Sequence, residues 1–290
     1  MNAPVTLTVL SDMAGQEIHA QLEQAAQWKL KTLDLKTIFN KNIADLTEAE
    51  ASELAIAMKA TAIGVQAFST HLFKIKIEDG EAAFAAQLDL LDRVLILARR
   101  LQPKMIRLIA AETNRRAEIT DSSSYILHEH PWLMSFYAEA VNRIHLAGFT
   151  TVIENETGQS IFNTPHEICG FFTALGLRNK VSFTWDVQNL WQLGTFPTLA
   201  VYQQLRPFIG YLHLKGGRSG PDGQTLKYRS SLESASWPVI EITRAVIADG
   251  ISPVICLNPS HGAENPDFPM HDVFSRDLAF LRRQLAPDLI

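Results

Sequence analysis

Cysteine is scarce: the chain has two, Cys169 and Cys256, far apart and without CxxC spacing. That excludes a disulfide framework and leaves two reduced thiols, as expected of a cytoplasmic protein. Basic charge is not in excess either, since the formal net charge is −5 at pH 7. Such a balance gives no general attraction to phosphate backbones or anionic bilayers, so neither nucleic acid nor membrane is an expected partner. Apolar runs of the roughly 18 residues needed to span a bilayer do not occur. Even LDLLDRVLILARRL is broken by charge and reads as a core helix. The opening segment MNAPVTLTVLSDMAGQ lacks a basic start and a long apolar stretch, so it does not read as a secretory signal. Also missing are a GxGxxG after the first strand and any GxxxxGK[ST], which removes the usual support for a nucleotide-phosphate loop.

What is present is alternation. Short apolar runs recur along the chain: VTLTVL (5–10), LKTLDL (30–35), AIGVQAF (62–68), KMIRLIAA (104–111), TTVIE (150–154), KVSFTW (180–185), IGYLHL (209–214) and SPVICL (252–257). Longer amphipathic stretches separate them. Two of these begin with capping boxes, Thr47 with Glu50 and Thr164 with Glu167, and Pro165 takes a first-turn position where its missing N–H costs nothing. Gly148 and Gly250 follow helical runs, as helix-ending glycines do. Eight strand–helix units in 290 residues fit one (β/α)8 TIM barrel, an α/β fold, occupying residues 1–290 as a single domain. A doubly wound open sheet uses the same alternation and is the main rival. The longest irregular stretches are expected at 113–131 and 215–236, each after a strand, where barrel enzymes carry their working loops.

In a barrel the chemistry lies at the strand C-termini. TTVIENETG brings Glu154, with Glu156 one residue beyond, to the end of the fifth strand. The sixth ends in Asp186, with Asn189 following; the seventh carries His213, with Lys215 two residues on; the eighth ends in Asn258. Each has an ordinary structural role available: a solvated turn for Glu154, a helix cap for Asp186, a bonded core imidazole for His213, a turn for Asn258. Together they put carboxylates, an imidazole and an amide oxygen on four adjacent strand ends, a donor set suited to Mn²⁺, Mg²⁺, Co²⁺ or Zn²⁺. His71, Lys215 and Arg218 are further candidates for binding a substrate's hydroxyl, carboxylate or phosphate oxygens. Trp185 is expected to face away from Asp186, into packing.

The run IENETG…TPHEICGFFTALG…VSFTWDVQNLWQLGTFPT…LRPFIGYLHLKGG resembles the LENE…FDxxNxxxxGxxP…LxPYIxYxHIKD pattern of the xylose-isomerase-like TIM barrels, the sugar phosphate isomerase/epimerase superfamily. LKTLDLKTIFNKNIADLTEAE is similar to a subgroup pattern, LDLRxVxxKNVxDLTDEE. The resemblance implies a divalent metal held by Glu154, Asp186, His213 and the strand-8 residue, with Glu156 and Asn189 orienting ligands. It further implies a metal-dependent sugar or polyol isomerase in which Glu154 removes a proton beside a carbonyl and the metal stabilises the enediolate. The expected ligand is a small sugar, polyol or sugar phosphate, and a homo-oligomer is compatible with the pattern.

Three positions depart from it. Asn258 stands where the family has Glu, Gly216 stands where HIKD has Asp, and the segment before Trp237 lacks a GxGxxD-like turn. An amide cannot take a proton near neutral pH, so a two-base epimerase is not expected. A lyase or dehydratase using Glu154, or a catalytically weakened homologue that binds a carbohydrate-like ligand, are the alternatives.

Overall fold

The computed structural model describes residues 5–286, so the first four residues of the opening segment lie outside it. Eight parallel strands form the barrel: β1 (Thr6–Val9), β2 (Thr32–Leu35), β3 (Gly64–Phe68), β4 (Met105–Ile109), β5 (Thr150–Glu154), β6 (Val181–Asp186), β7 (Ile209–Leu214) and β8 (Val254–Leu257). Neighbours pair in chain order, β8 pairs with β1, and a parallel bridge between Leu10 and Asp34 draws β1 to β2. All eight predicted strands are found, trimmed by one or two residues at some ends and extended by one at the end of β6, and the open-sheet rival is excluded.

Alternation along each strand divides the side chains between two compartments. Leu10, Ala67, Met105, Val152, Tyr211, Val254 and Cys256 meet inside the barrel. The intervening positions, such as Ile106, Leu108, Ile153 and Leu212, face the outer helices in a second, larger core. Trp185 belongs to that outer layer, fully buried and stacked on Tyr202 with ring centroids 6.2 Å apart, as its position beside Asp186 implies.

The helices start where their caps predict. At the start of the helix Glu48–Lys59, Thr47 and Glu50 satisfy each other's backbone N–H, and at the start of the helix Pro165–Leu175, Thr164 and Glu167 do the same. Gly148 and Gly250 have φ of 90° and 65°, conformations that a side chain would strain. Two loop expectations need correction. Residues 113–131 are not irregular throughout: they contain a helix, Ser122–Glu129, capped by Asp121. Residues 215–236 contain a short antiparallel ribbon, Arg218–Ser219 against Leu226–Tyr228. Among the described residues no helix is long and apolar enough to cross a membrane.

Candidate functional site

The inward face of the barrel turns polar toward its C-terminal mouth. Above the apolar floor lie Asp34 (β2), Arg107 (β4) and Cys256 (β8); above them come Glu154 (β5), Asp186 (β6) and His213 (β7), and then Lys215 and Asn258 just past their strands. Parallel register sets this level, with Asp186 beside His213 and His213 beside Cys256. Asn155 fixes the rim between β5 and β6. Its amide donates to Asp186 O at 3.2 Å and accepts from Asp186 N at 3.2 Å.

The two carboxylates that sequence placed at the centre are both already paired. Glu154 Oε2 accepts from Arg107 Nη1, and its Oε1 lies 3.0 Å from His213 Nδ1. Arg107 is itself tied down, donating through Nη2 to Ser69 O and Thr70 O, each at 3.1 Å. Asp186 accepts through Oδ1 from the N–H groups of Gln188 and Asn189, capping the short helix Val187–Gln192, and its Oδ2 lies 2.7 Å from Lys215 Nζ. Lys215 Nζ also donates to Asn189 Oδ1 at 2.9 Å. Asp186 is thus both the cap its sequence context suggested and a member of the site.

These pairings set the titration. Burial pushes the Glu154 carboxyl up, but Arg107, His213 and Lys215 outweigh it and hold the group well below the usual carboxylate range. Burial likewise lowers the Arg107 pKa, and Glu154 and Asp34 more than restore it. Asp34 behaves oppositely: burial raises its pKa and outweighs the lowering by His213 and Arg107. Tyr211 donates to Asp34 Oδ2 at 3.1 Å.

Over this layer lies a cavity of about 270 Å³, reached from the strand C-termini. Its walls include Arg107, Glu154, Glu156, Asp186, Asn189 and Lys215, joined by His71 and Asn258. Glu156 does not extend the β5 strand alongside Glu154; it lies beyond the strand end and pairs with Lys74 at 3.3 Å. His71 is partly exposed, 3.5 Å from Asp45. Arg218 is not brought to the cavity: its guanidinium sits 4.3 Å from the centroid of Phe268 and donates to Ser234 O, so it serves the outer ribbon. His213 is fully buried beneath the wall, with Asn258 Nδ2 2.9 Å from its Nδ1. Gly216 has a reason to depart from the family's Asp, because a Cβ there would collide with the backbone carbonyl of Ser230.

Sequence reasoning missed Arg107 and Asp34. Both sit in otherwise apolar strands, IRLIA and TLDL, and a charged residue at an inward strand position was the available signal. Lys36, Lys74 and His261, which also line the cavity, come from loops whose approach only the fold reveals.

Glu154, Asp186 and His213 present one ligand atom each within 4.8 Å of one another, a grouping a metal ion could use. The local charge fits a divalent ion poorly. Two carboxylates face two buried cations, and the fourth ligand is an uncharged amide that already contacts His213. Unit charges about 4 Å apart interact by about 4 kcal/mol at an effective dielectric constant of about 20, and with each carboxylate matched by a cation, the attraction a divalent ion draws from Glu154 and Asp186 is offset by repulsion from Arg107 and Lys215. With Arg107 and Lys215 in these positions, each of the two carboxylates is already balanced by a cation of this chain.

No curated protein matches the chain by sequence. Among solved structures it is similar to a xylose isomerase-like TIM barrel protein from Mycobacterium smegmatis in complex with magnesium, with TM-score 0.73, 14% identity, and 99% and 98% of the two chains covered. D-psicose 3-epimerase from Clostridium cellulolyticum H10, solved with D-tagatose, gives TM-score 0.70 at 12% identity over 99% and 100%. The 3-keto-D-glucoside 4-epimerase of E. coli gives 0.63 at 14% over 96% and 99%. At such identities these likenesses speak for the fold. The family model for the xylose isomerase-like TIM barrel matches residues 22–283, and with the strand order and polar barrel mouth described above, the chain belongs to that family.

Proposed function

We propose that the barrel mouth binds a small sugar, polyol or sugar phosphate, and that the chain is a catalytically weakened member of its family. The observation that carries this reading is the buried pair between Arg107 and Glu154. A carboxylate held below its usual pKa by a guanidinium is a poor proton acceptor, so the group implied as the base is the one the fold has quenched. The cavity nonetheless keeps groups that polyols use: Lys215 and Arg107 as donors, Glu156 as an acceptor, and Asn189 and His71 as polar neighbours. Sugars bound in structures of similar fold, D-fructose and D-tagatose in psicose epimerases, support the ligand class.

Calorimetric titration with a panel of pentoses, hexoses, inositols and their phosphates tests the proposal. A ligand that binds at a 1:1 ratio, and is lost in Lys215→Met, is the expected result. No binding across the panel refutes it.

A second reading, an isomerase-type enzyme with Glu154 as its single base, is favoured by the convergence of Glu154, Asp186 and His213. Exchange of a substrate C–H for deuterium in heavy water, abolished by Glu154→Gln, would establish it over the first.

A further inference from the structure

We propose that Arg107 and Lys215 take over the electrostatic role of a divalent ion in this barrel mouth, so that the pocket receives its oxygen-rich ligand without a metal. The proposal deepens the binding reading by naming what meets the ligand's oxygens, and it is tested without any sugar, so the two can fail separately.

Three observations point the same way. Charge comes first: Glu154 and Asp186, the carboxylates that converge on His213, each face a cation of this chain, Arg107 and Lys215. All four side chains are almost wholly buried, so the pairing is a fixed feature of the site rather than a surface contact that water screens. The second observation is the amide at Asn258. A third carboxylate there would leave a net negative cluster that calls for an ion; the amide instead leaves Glu154 and Asp186 balanced by Arg107 and Lys215. The third is location. His213 is sealed under the cavity wall, with Nδ1 closed off by Glu154 and Asn258, while Arg107 and Lys215 both line the cavity.

The two cations also have matching geometry. Arg107 is anchored from below by the carbonyls of Ser69 and Thr70, which fixes its planar fork across the ends of β3 and β4. Lys215 follows β7, donates to Asn189 Oδ1 and holds its ammonium 2.7 Å from Asp186 Oδ2 as an ion pair. With a single acceptor bonded, the ammonium keeps N–H capacity for an oxygen of the ligand. Gly216, where a Cβ would strike the carbonyl of Ser230, lets the Ser230 backbone pack directly against the chain just after Lys215. Two buried donors in one cavity, one paired with Glu154 and the other with Asp186, suit adjacent hydroxyl or carbonyl oxygens, the unit that a chelating ion would otherwise hold.

The test is metal binding by the full chain. Purified protein is analysed for metal, then titrated with Mn²⁺, Co²⁺ and Zn²⁺ by calorimetry, and its melting temperature is followed with and without EDTA. The wild type should carry no stoichiometric metal, show no site tighter than about 1 mM, and melt at the same temperature in EDTA. Arg107→Met combined with Asn258→Glu removes a cation and adds a carboxylate, and should tighten Mn²⁺ binding by roughly 100-fold. A wild-type site saturating at micromolar metal, or a wild-type melting temperature that falls in EDTA, overturns the proposal. So does a folded double variant that binds Mn²⁺ no better than wild type. If the double variant does not fold, the wild-type titration decides alone.

Discussion

Removing Arg107 is the perturbation that the site predicts most sharply. In Arg107→Met a flexible apolar side chain replaces the guanidinium, leaving Glu154 buried without its main partner and the Ser69 and Thr70 carbonyls without their donors. Breaking a buried pair from one side costs about 3–5 kcal/mol, chiefly because the remaining charge has lost its compensation. At roughly 2.1 cal/mol/K per residue, 290 residues give an unfolding entropy of about 0.6 kcal/mol/K, so the melting temperature should fall by about 5–8 °C. Glu154→Gln in the same background should recover part of that loss, since no charge then remains to be buried; the double-mutant cycle gives the coupling directly. The pH dependence has a defined sign. In the wild type Glu154 titrates below its ordinary value of 4.5, so its stabilisation is present above that pH and is lost as the pH falls toward the folded-state pKa. Without Arg107 the folded pKa rises and this acid-limb loss shrinks. Scanning calorimetry between pH 3 and 8 reads both effects. A wild-type-like melting temperature and an unchanged acid limb in Arg107→Met would refute the buried pair as the organiser of the site.

Other outcomes follow from residues away from that pair. Asp277, buried and accepting from Leu232 N at 2.8 Å, has its pKa raised to about 7 by burial. Its penalty is absent below the unfolded value near 3.8, grows up to pH 7 and then levels, so Asp277→Asn should stabilise by up to about 4 kcal/mol at pH 8 and hardly at all at pH 4 in thermal melts. Gly216→Ala should cost about 1–3 kcal/mol by forcing Ser230 away, and should weaken ligand binding through Lys215; an unaltered melting temperature would show that the loop yields freely. Thr47→Ala removes one half of a complete capping box and should lower stability by about 1 kcal/mol, measured by urea unfolding.

The barrel was legible in the sequence because each strand carries a compact apolar signal, most of them bounded by glycine, proline or a capping residue. The rim residues Glu154, Asp186, His213 and Asn258 were legible for a related reason: parallel strands of one barrel bring their C-terminal ends to a common level, so order along the chain becomes adjacency in space. What stayed hidden depends on partners. Arg107 points inward three residues after Lys104, and nothing local says that its guanidinium reaches the residue ending the next strand. The helix Ser122–Glu129 escaped because three serines open it, residues that favour turns until Asp121 caps them into a helix. Arg218 stands beside Lys215 in sequence, yet the glycines between them turn the chain, and Phe268 captures its side chain outside the cavity.

Arg107 leaves β4, grips the backbone just past β3 and meets the side chain that ends β5. One residue therefore stitches three consecutive staves at the mouth, and its replacement loosens all of them at once. A lineage exchanging this arrangement for one built around an ion would need the arginine lost and the strand-8 carboxylate gained together, because each change alone strands a charge in the interior. Two-step barriers of that kind keep a sequence where it is, which makes the identity of residues 107 and 258, taken as a pair, the feature by which relatives with the same chemistry can be sorted from those without it.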